Sequence, residues 1–372
     1  MVDFTALAVP GVQALRPYQP GKPVEALERE LGIREAVKLA SNENALGPSP
    51  RAVEAASQAL RALHIYPDGN GFALKEALAE RHGVAPEQIT LGNGSNEVLE
   101  LIARSWLAPG RNAVYSQHAF AVYPLVVQAV SAEGRAAPAR AADSEQPYGH
   151  DLGAMAAMVD AGTRVVFVAN PNNPTGTWLD GEALERFIAQ VPAETLVVVD
   201  EAYAEYVEQP DYPDPTQWLG RFPNLLVTRS FSKIHGLAGL RLGYSVSSAA
   251  VADLVNRVRQ PFNVNAVAQA AGLAAIGDTA HVAQSVRMNR EGLRQLGAGL
   301  QQRGIGFIPS VGNFITFDVG EEPGAVYERL LREGVIVRPV ANYGLPTHLR
   351  VTIGTAAENE RFLRALDAVR QT

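Results

Sequence analysis

The run Thr228-Arg-Ser-Phe-Ser-Lys-Ile-His-Gly-Leu-Ala-Gly-Leu-Arg-Leu-Gly-Tyr244 sets a lysine, Lys233, behind two hydroxyl residues, Ser230 and Ser232, and ahead of a glycine-punctuated segment that delivers Arg241. The apolar residues before it, Asn224-Leu-Leu-Val-Thr228, read as a short buried strand. Lys233 then emerges at the carboxyl end of a strand, where open α/β sheets bind their ligands. Two further runs have the same form. Arg164-Val-Val-Phe-Val-Ala169 leads into Asn170-Pro-Asn-Asn-Pro-Thr-Gly176, and Leu196-Val-Val-Val199 leads into Asp200-Glu-Ala-Tyr203. Taken singly, each polar cluster has an ordinary explanation: a surface lysine in a turn, a proline-bounded turn, an aspartate capping a helix. Together they predict three buried strands that discharge an amide, a carboxylate with a phenol, and an amine into one crevice.

The chain has 372 residues, enough to bury a large core and to divide into two domains. Hydrophobic content of 47% and charged content of 19% belong to an ordinary soluble globular protein. A net charge of −7 leaves no electrostatic footprint for nucleic acid. The absence of cysteine excludes disulfides and thiolate metal sites and fits a reducing compartment; no metal is expected. The first basic residue is Arg16, so no basic segment precedes an apolar stretch as in a secretory signal. No apolar run reaches the ~20 residues that span a bilayer. A cytoplasmic protein without membrane contact is the expectation.

In chain order, residues 1–23 are rich in Pro and Gly and predict an arm with little regular structure, carrying Tyr18. The apolar step Lys38-Leu-Ala-Ser-Asn-Glu-Asn44 ends in a Gly/Pro loop, followed by helices over 50–63 and 72–82. Ile89-Thr-Leu91 is a short strand feeding Gly92-Asn-Gly-Ser-Asn-Glu97, with a helix over 98–106. A glycine-rich turn between strand and helix offers free N–H groups and the positive end of a dipole, which suits a phosphate. It is not a dinucleotide fingerprint, because Glu97 stands where the third glycine belongs. A strand at 113–115 follows, and 131–151 reads as an irregular connection or weak strand. After helices over 249–260 and 278–303, the chain alternates strand 313–317, helix 324–333, strands 335–338 and 349–353, and helix 357–370. That second pattern is α+β, distinct from the α/β middle.

The three strand-end clusters, spaced in this way, resemble the pyridoxal-phosphate site of fold-type I aminotransferases, from about residue 10 to about residue 360. The resemblance implies a large α/β domain with a mostly parallel seven-stranded sheet between helices, and a smaller α+β domain. The expected division is an arm and start of the small domain at 1–35, the large domain at 36–262 and the small domain at 263–372. In such a site the protein holds the cofactor, tunes it and moves a proton. Lys233 would carry the cofactor covalently and, once released, act as the base, which requires partial desolvation or nearby positive charge. Asp200 would pair with the pyridine nitrogen, and Tyr203 and Asn173 with the ring hydroxyl. Phe120 would stack on the ring, worth about 0.5–1.5 kcal/mol. Ser95, Asn96, Ser230, Ser232 and Arg241 would hold the phosphate.

The stretches Leu39-Ala-Ser-Asn-Glu-Asn44, Tyr66-Pro-Asp68, Gly92-Asn-Gly-Ser-Asn-Glu97, Asn172-Asn-Pro-Thr-Gly176, Asp200-Glu-Ala-Tyr203 and Ser232-Lys-Ile-His-Gly-Leu-Ala-Gly-Leu-Arg241 are similar, more narrowly, to those of the histidinol-phosphate aminotransferase family. This likeness implies a homodimer in which Tyr66 reaches the neighbour's cofactor phosphate. It also implies that Tyr18, Asn44, Arg338 and Arg350 bind substrate. Read from the residues alone, Val337-Arg-Pro339 and Leu349-Arg-Val351 present two guanidiniums that can grip a phosphate or a carboxylate such as that of glutamate. Phe120, where many relatives carry tyrosine, and the filling Lys-Ile-His-Gly depart from the family pattern and leave room for an aromatic amino-acid transaminase. A phosphothreonine-type decarboxylase and a non-catalytic regulator on the same fold are the remaining alternatives.

Overall fold

The three apolar runs form adjacent strands, and each alternates its side chains between two separate cores. Val166, Val168, Val197, Val199, Leu225 and Val227 face one core, while Val165, Phe167, Leu196, Val198 and Leu226 face the other. A sheet covered on both faces explains why these runs read as continuously hydrophobic. The computed structural model describes residues 2–18 and 21–370.

Thirteen strands are present among these residues. They are β1 (Val37–Lys38), β2 (Ile89–Gly92), β3 (Asn112–Ser116), β4 (Glu133–Ala137), β5 (Thr163–Ala169), β6 (Leu196–Asp200), β7 (Leu225–Ser230), β8 (Gly243–Ser247), β9 (Phe307–Ile308), β10 (Phe314–Asp318), β11 (Val335–Ile336), β12 (Arg338–Pro339) and β13 (His348–Thr352). Seven of them form the large sheet, in the order β2-β8-β7-β6-β5-β3-β4. Only β8 runs antiparallel to its neighbours. The smaller unit has an antiparallel sheet, β12-β13-β10-β9, and a parallel pair, β1-β11. Helices Thr279–Gln302, Pro323–Arg332 and Ala356–Arg370 cover it, through Leu296, Leu300, Leu330, Phe362 and Leu366. Among the described residues no helix is long and apolar enough to cross a membrane.

Several expectations need correction. The arm, expected to have little regular structure, holds two single helical turns, Phe4–Leu7 and Pro10–Gln13, the first capped by Asp3, whose Oδ1 accepts from the Thr5 and Ala6 N–H groups. Of the arm predicted over 1–23, residues 1, 19 and 20 lie outside the described residues. The strand expected at 335–338 divides between two sheets, β11 pairing with β1 and β12 with β13. Pro339, which has no N–H to donate, sits on the edge strand β12. The helix expected at 98 begins at Gly94, so Ser95 and Asn96 stand in its first turn.

Near the expected boundaries at 36 and 262, two segments pack into the core on the other side. Leu39 is buried in the small core, whereas Ala268, Ala271 and Ala275 of the helix Ala266–Ile276 are buried in the large one. Alanine-rich helices pack closely on any neighbour, and only the observed contact with the helices Pro50–Ala59 and Phe72–His82 reveals which core they join.

Candidate active site

Because β5, β6 and β7 are parallel neighbours, their carboxyl ends open on the same edge of the sheet. There Asn173, Asp200, Tyr203 and Lys233 line one cavity of about 250 Å³, together with Ser95, Asn96, Phe120, Ser230, Ser232, Arg241, Tyr18 and Arg350. The crevice predicted from three strand ends is present.

Asp200 is buried, and its two carboxylate oxygens are separately held. Tyr123 Oη donates to Oδ2 at 2.8 Å, and Thr228 Oγ1 donates to Oδ1 at 2.9 Å. Burial pushes its pKa up, against these two hydrogen bonds. Among the described residues no cation pairs with it. A cationic ring nitrogen in the cavity would favour its ionised form.

Lys233 Nζ donates to the Ser41 carbonyl at 2.9 Å and lies 5.7 Å from the centroid of the Tyr203 ring. Its pKa falls to about 7, first because the amine is desolvated and next because Arg350 lies nearby; Glu43 opposes the fall. A good fraction of this amine is neutral at neutral pH, as a base or nucleophile requires. Tyr203 Oη accepts from Asn42 Nδ2 at 2.9 Å, and burial raises the phenol to about 12, so it is a hydrogen-bond donor throughout the working range.

At the start of the helix Gly94–Trp106, the left-handed backbone of Gly94 (φ +71°) brings it against the Arg241 guanidinium. A side chain at position 94 would occupy the space of Arg241 Nη2, which is the physical reason for a glycine there. Arg241 Nη1 donates to Ser232 Oγ at 3.3 Å and to the Ala238 carbonyl at 3.0 Å. Hydroxyls, a guanidinium and helix N–H groups thus gather as an anion site. Glu97, which ruled out a dinucleotide motif, accepts from the Asn93 N–H at 2.6 Å and from Asn263 Nδ2 at 2.6 Å. It caps the helix start.

The smaller unit contributes Arg350 and, beside it across β12 and β13, Arg338. Arg350 is buried; it donates to Asn173 Oδ1 and, at 2.7 Å, to the Ala40 carbonyl, while its Nε has no acceptor among the described residues. Arg338 lies 5.3 Å from the Tyr18 ring centroid and lines an adjoining cleft of about 600 Å³, with Tyr18 shared between cleft and cavity.

Two predicted residues lie elsewhere. Asn44 is outside the cavity: its Nδ2 donates to the Ile234 carbonyl and Ser285 Oγ, and its Oδ1 accepts from the Leu46 N–H. With its amide committed to the loop, it is a structural residue in this arrangement, and its neighbours Asn42 and Glu43 line the cavity instead. Tyr66 is 80% exposed and stacks on Phe262 with centroids 4.8 Å apart, away from the cavity of its own chain. Asn42, Tyr123 and Thr228 were not singled out by sequence reasoning. Thr228 is opposite Asp200 only by virtue of strand register, which no local pattern reveals.

An unpaired buried carboxylate, a semi-neutral lysine, an aromatic wall in Phe120 and an anion site in one cavity form the donor set of a pyridoxal-phosphate enzyme on a doubly covered α/β sheet. The chain belongs to the aminotransferase class I and II family, whose pattern matches residues 34–366. It is 62% identical over 371 residues to histidinol-phosphate aminotransferase 2 of Pseudomonas aeruginosa, covering 99% of each chain. It is 56% identical to histidinol-phosphate aminotransferase 2 of Methylococcus capsulatus, again over 99% of both chains. Among solved structures it superposes on a histidinol-phosphate aminotransferase from Sinorhizobium meliloti in complex with pyridoxal-5'-phosphate, with a TM-score of 0.88, 29% identity and coverage of 98% and 97%.

Proposed function

We propose that this chain is a pyridoxal-phosphate-dependent transaminase that moves the amino group of L-histidinol phosphate to 2-oxoglutarate, yielding imidazole acetol phosphate and glutamate in histidine biosynthesis. Full-length identity of 62% to a protein of that name supports the substrate, and the donor set of the cavity supports the cofactor. The single observation that carries the reading is the convergence of Lys233, Asp200 and the Arg241 anion site on one cavity that also receives Arg350.

When bound, pyridoxal phosphate supplies an electron sink for the bond broken at the substrate α-carbon. Lys233 would hold the cofactor, and its amine, already near neutrality, would take the proton from the amine-bearing substrate carbon and pass it on rather than return it to that carbon. Asp200 would supply the negative charge that keeps the ring nitrogen protonated, and Tyr123 and Thr228 hold that carboxylate in place. Tyr203 and Asn173 would hydrogen-bond the ring hydroxyl, and Phe120 would cover the ring. Ser95, Asn96, Ser230, Ser232 and Arg241 hold the cofactor phosphate. Arg350, which lines the cavity, and Arg338, with Tyr18 against it, anchor the substrate phosphate or the carboxylate of glutamate.

The active form is a cytoplasmic homodimer in this reading, with Tyr66 completing the neighbour's phosphate site. Supporting it, Tyr66 and its stacking partner Phe262 are exposed, as are the apolar side chains Leu63, Ile65 and Phe72 near Tyr66 in the chain. A large unit around the seven-stranded sheet and a small unit around β10 and β13 close on the substrate between them.

The test is a substrate panel with purified protein and pyridoxal phosphate. Histidinol phosphate should be turned over with kcat/KM roughly 10³-fold or more above phosphate-free histidinol, because a site built for a phosphate leaves its donors unpaired without one. Phenylalanine turned over as fast as histidinol phosphate, or release of CO₂, would displace this reading.

A further inference from the structure

The hydrogen-bond chain behind Tyr203 runs in one direction, from Thr352 through Asn42 to the phenol. The Asn42 N–H donates to Thr352 Oγ1 at 2.9 Å, so that hydroxyl accepts from the backbone and its own proton is free for the Asn42 Oδ1 at 3.2 Å. With its oxygen taken, the Asn42 amide presents its NH₂ group to the Tyr203 oxygen at 2.9 Å. An NH₂ group can only donate. The phenol must therefore accept on that side, and among the described residues its oxygen has no second partner. Its proton is left to point into the cavity that Tyr203 lines. Asn42, Tyr203 and Thr352 are all buried, and Asn42 holds a left-handed backbone (φ +55°) fastened by Asn313 Nδ2 on its carbonyl at 3.0 Å. The relay cannot relax by exchanging partners with water.

We propose that Thr352 and Asn42 are positioning residues that fix Tyr203 as a one-way hydrogen-bond donor toward the ring hydroxyl of the bound cofactor. This deepens the transaminase reading and rests on it. Thr352 lies two positions beyond Arg350 on β13, and Asn42 follows Ser41, whose carbonyl holds Lys233. The small unit that supplies the substrate-gripping arginine therefore also sets the donor that acts on the cofactor. A donor at the ring oxygen favours its ionised form, and the proton shared between that oxygen and the Lys233 nitrogen leaves at lower pH.

The experiment is a pH titration of the visible absorbance of the pyridoxal-phosphate-loaded protein, with the cofactor dissociation constant measured alongside. T352V keeps the shape of threonine and removes the hydroxyl, which frees the Asn42 amide to turn its oxygen to the phenol. The midpoint should rise by roughly half to one pH unit. T352S should restore the wild-type value. N42D, which presents only acceptors to the phenol, should raise the midpoint at least as far and is the deciding variant should T352V not fold. Wild-type protein with no visible band on adding the cofactor would overturn the transaminase reading. A wild-type band that titrates, with midpoints unchanged in both T352V and N42D, would overturn the relay alone.

Discussion

The strand-end half of the site, at β5, β6 and β7, and its arginine half, with Arg350 of β13 in the cavity and Arg338 of β12 in the adjoining cleft, are made in different ways. In the first, each functional side chain sits within a few residues of the end of its own strand, although Lys233 and Tyr203 are also held from the segment at Ser41 and Asn42. Asp200 is held by Thr228 of the neighbouring strand in direct register. In the second, the side chains are short in local support and long in sequence separation. Arg350 reaches the Ala40 carbonyl 310 positions away and Asn173 177 positions away, and Arg338 packs on Tyr18 of the arm. The strand-end half is fixed by a sheet that is buried on both faces. The arginine half depends on how the smaller unit and the N-terminal segment lie against it, so it is the part of this protein that a distant change can loosen.

The sharpest way to break that comparison is at Lys233. Lys233→Ala removes the base and the covalent anchor together, and should lower kcat by roughly 10³-fold or more and abolish the visible band, with the melting temperature little changed. An unchanged spectrum would remove Lys233 from its role. The arginine half should answer differently. Arg350→Ala leaves Asn173 and the Ala40 carbonyl without their buried donor, and should lower kcat/KM by roughly 10²–10³-fold. Arg338→Ala, in the adjoining cleft, should cost about 10-fold or somewhat more, mainly through KM. Steady-state kinetics with histidinol phosphate decides this, and equal losses at the two positions would contradict the division of labour drawn here.

The smallest effect is a matter of pH. The Lys233 amine titrates near 7 because it is buried and faces Arg350. Only the neutral amine captures the cofactor aldehyde, so the rate of capture by cofactor-free protein should rise about fivefold from pH 6 to 7 and less than about twofold from 7 to 8. A lysine with its ordinary pKa would instead climb about tenfold per unit through pH 9. Arg350→Met removes the second-largest cause of the depression, and should move the midpoint upward, linking the two halves through charge.

Much of the strand-end half was legible in the sequence. Asn173, Asp200, Tyr203 and Lys233 each follow a valine- or leucine-rich run, and a continuous apolar run bounded by polar turn residues is the mark of a strand buried on both faces. The arginine half was visible as residues but not as an arrangement. One predicted strand, 335–338, turned out to serve two sheets, because a proline at 339 and the pairing of Val335 with Val37 separate the two ends. Asn44 looked like its neighbours in a polar loop and proved to be committed inside it, whereas Asn42 faces Tyr203. Polar side chains two residues apart in a loop carry no periodicity that says which one points inward.

By itself, the sequence determined which segments must be buried strands and which chemical groups lie at their ends, since hydrophobic period and turn residues are local properties. The family match adds that such groups belong to an aminotransferase. Only the tertiary structure decided the strand order that unites three ends in one cavity, the core to which the helix Ala266–Ile276 belongs, and the direction of the hydrogen bonds from Thr352 through Asn42 to Tyr203. Those depend on contacts between residues hundreds of positions apart, whose partners are chosen by packing and by the satisfaction of buried donors rather than by anything a neighbouring residue can signal.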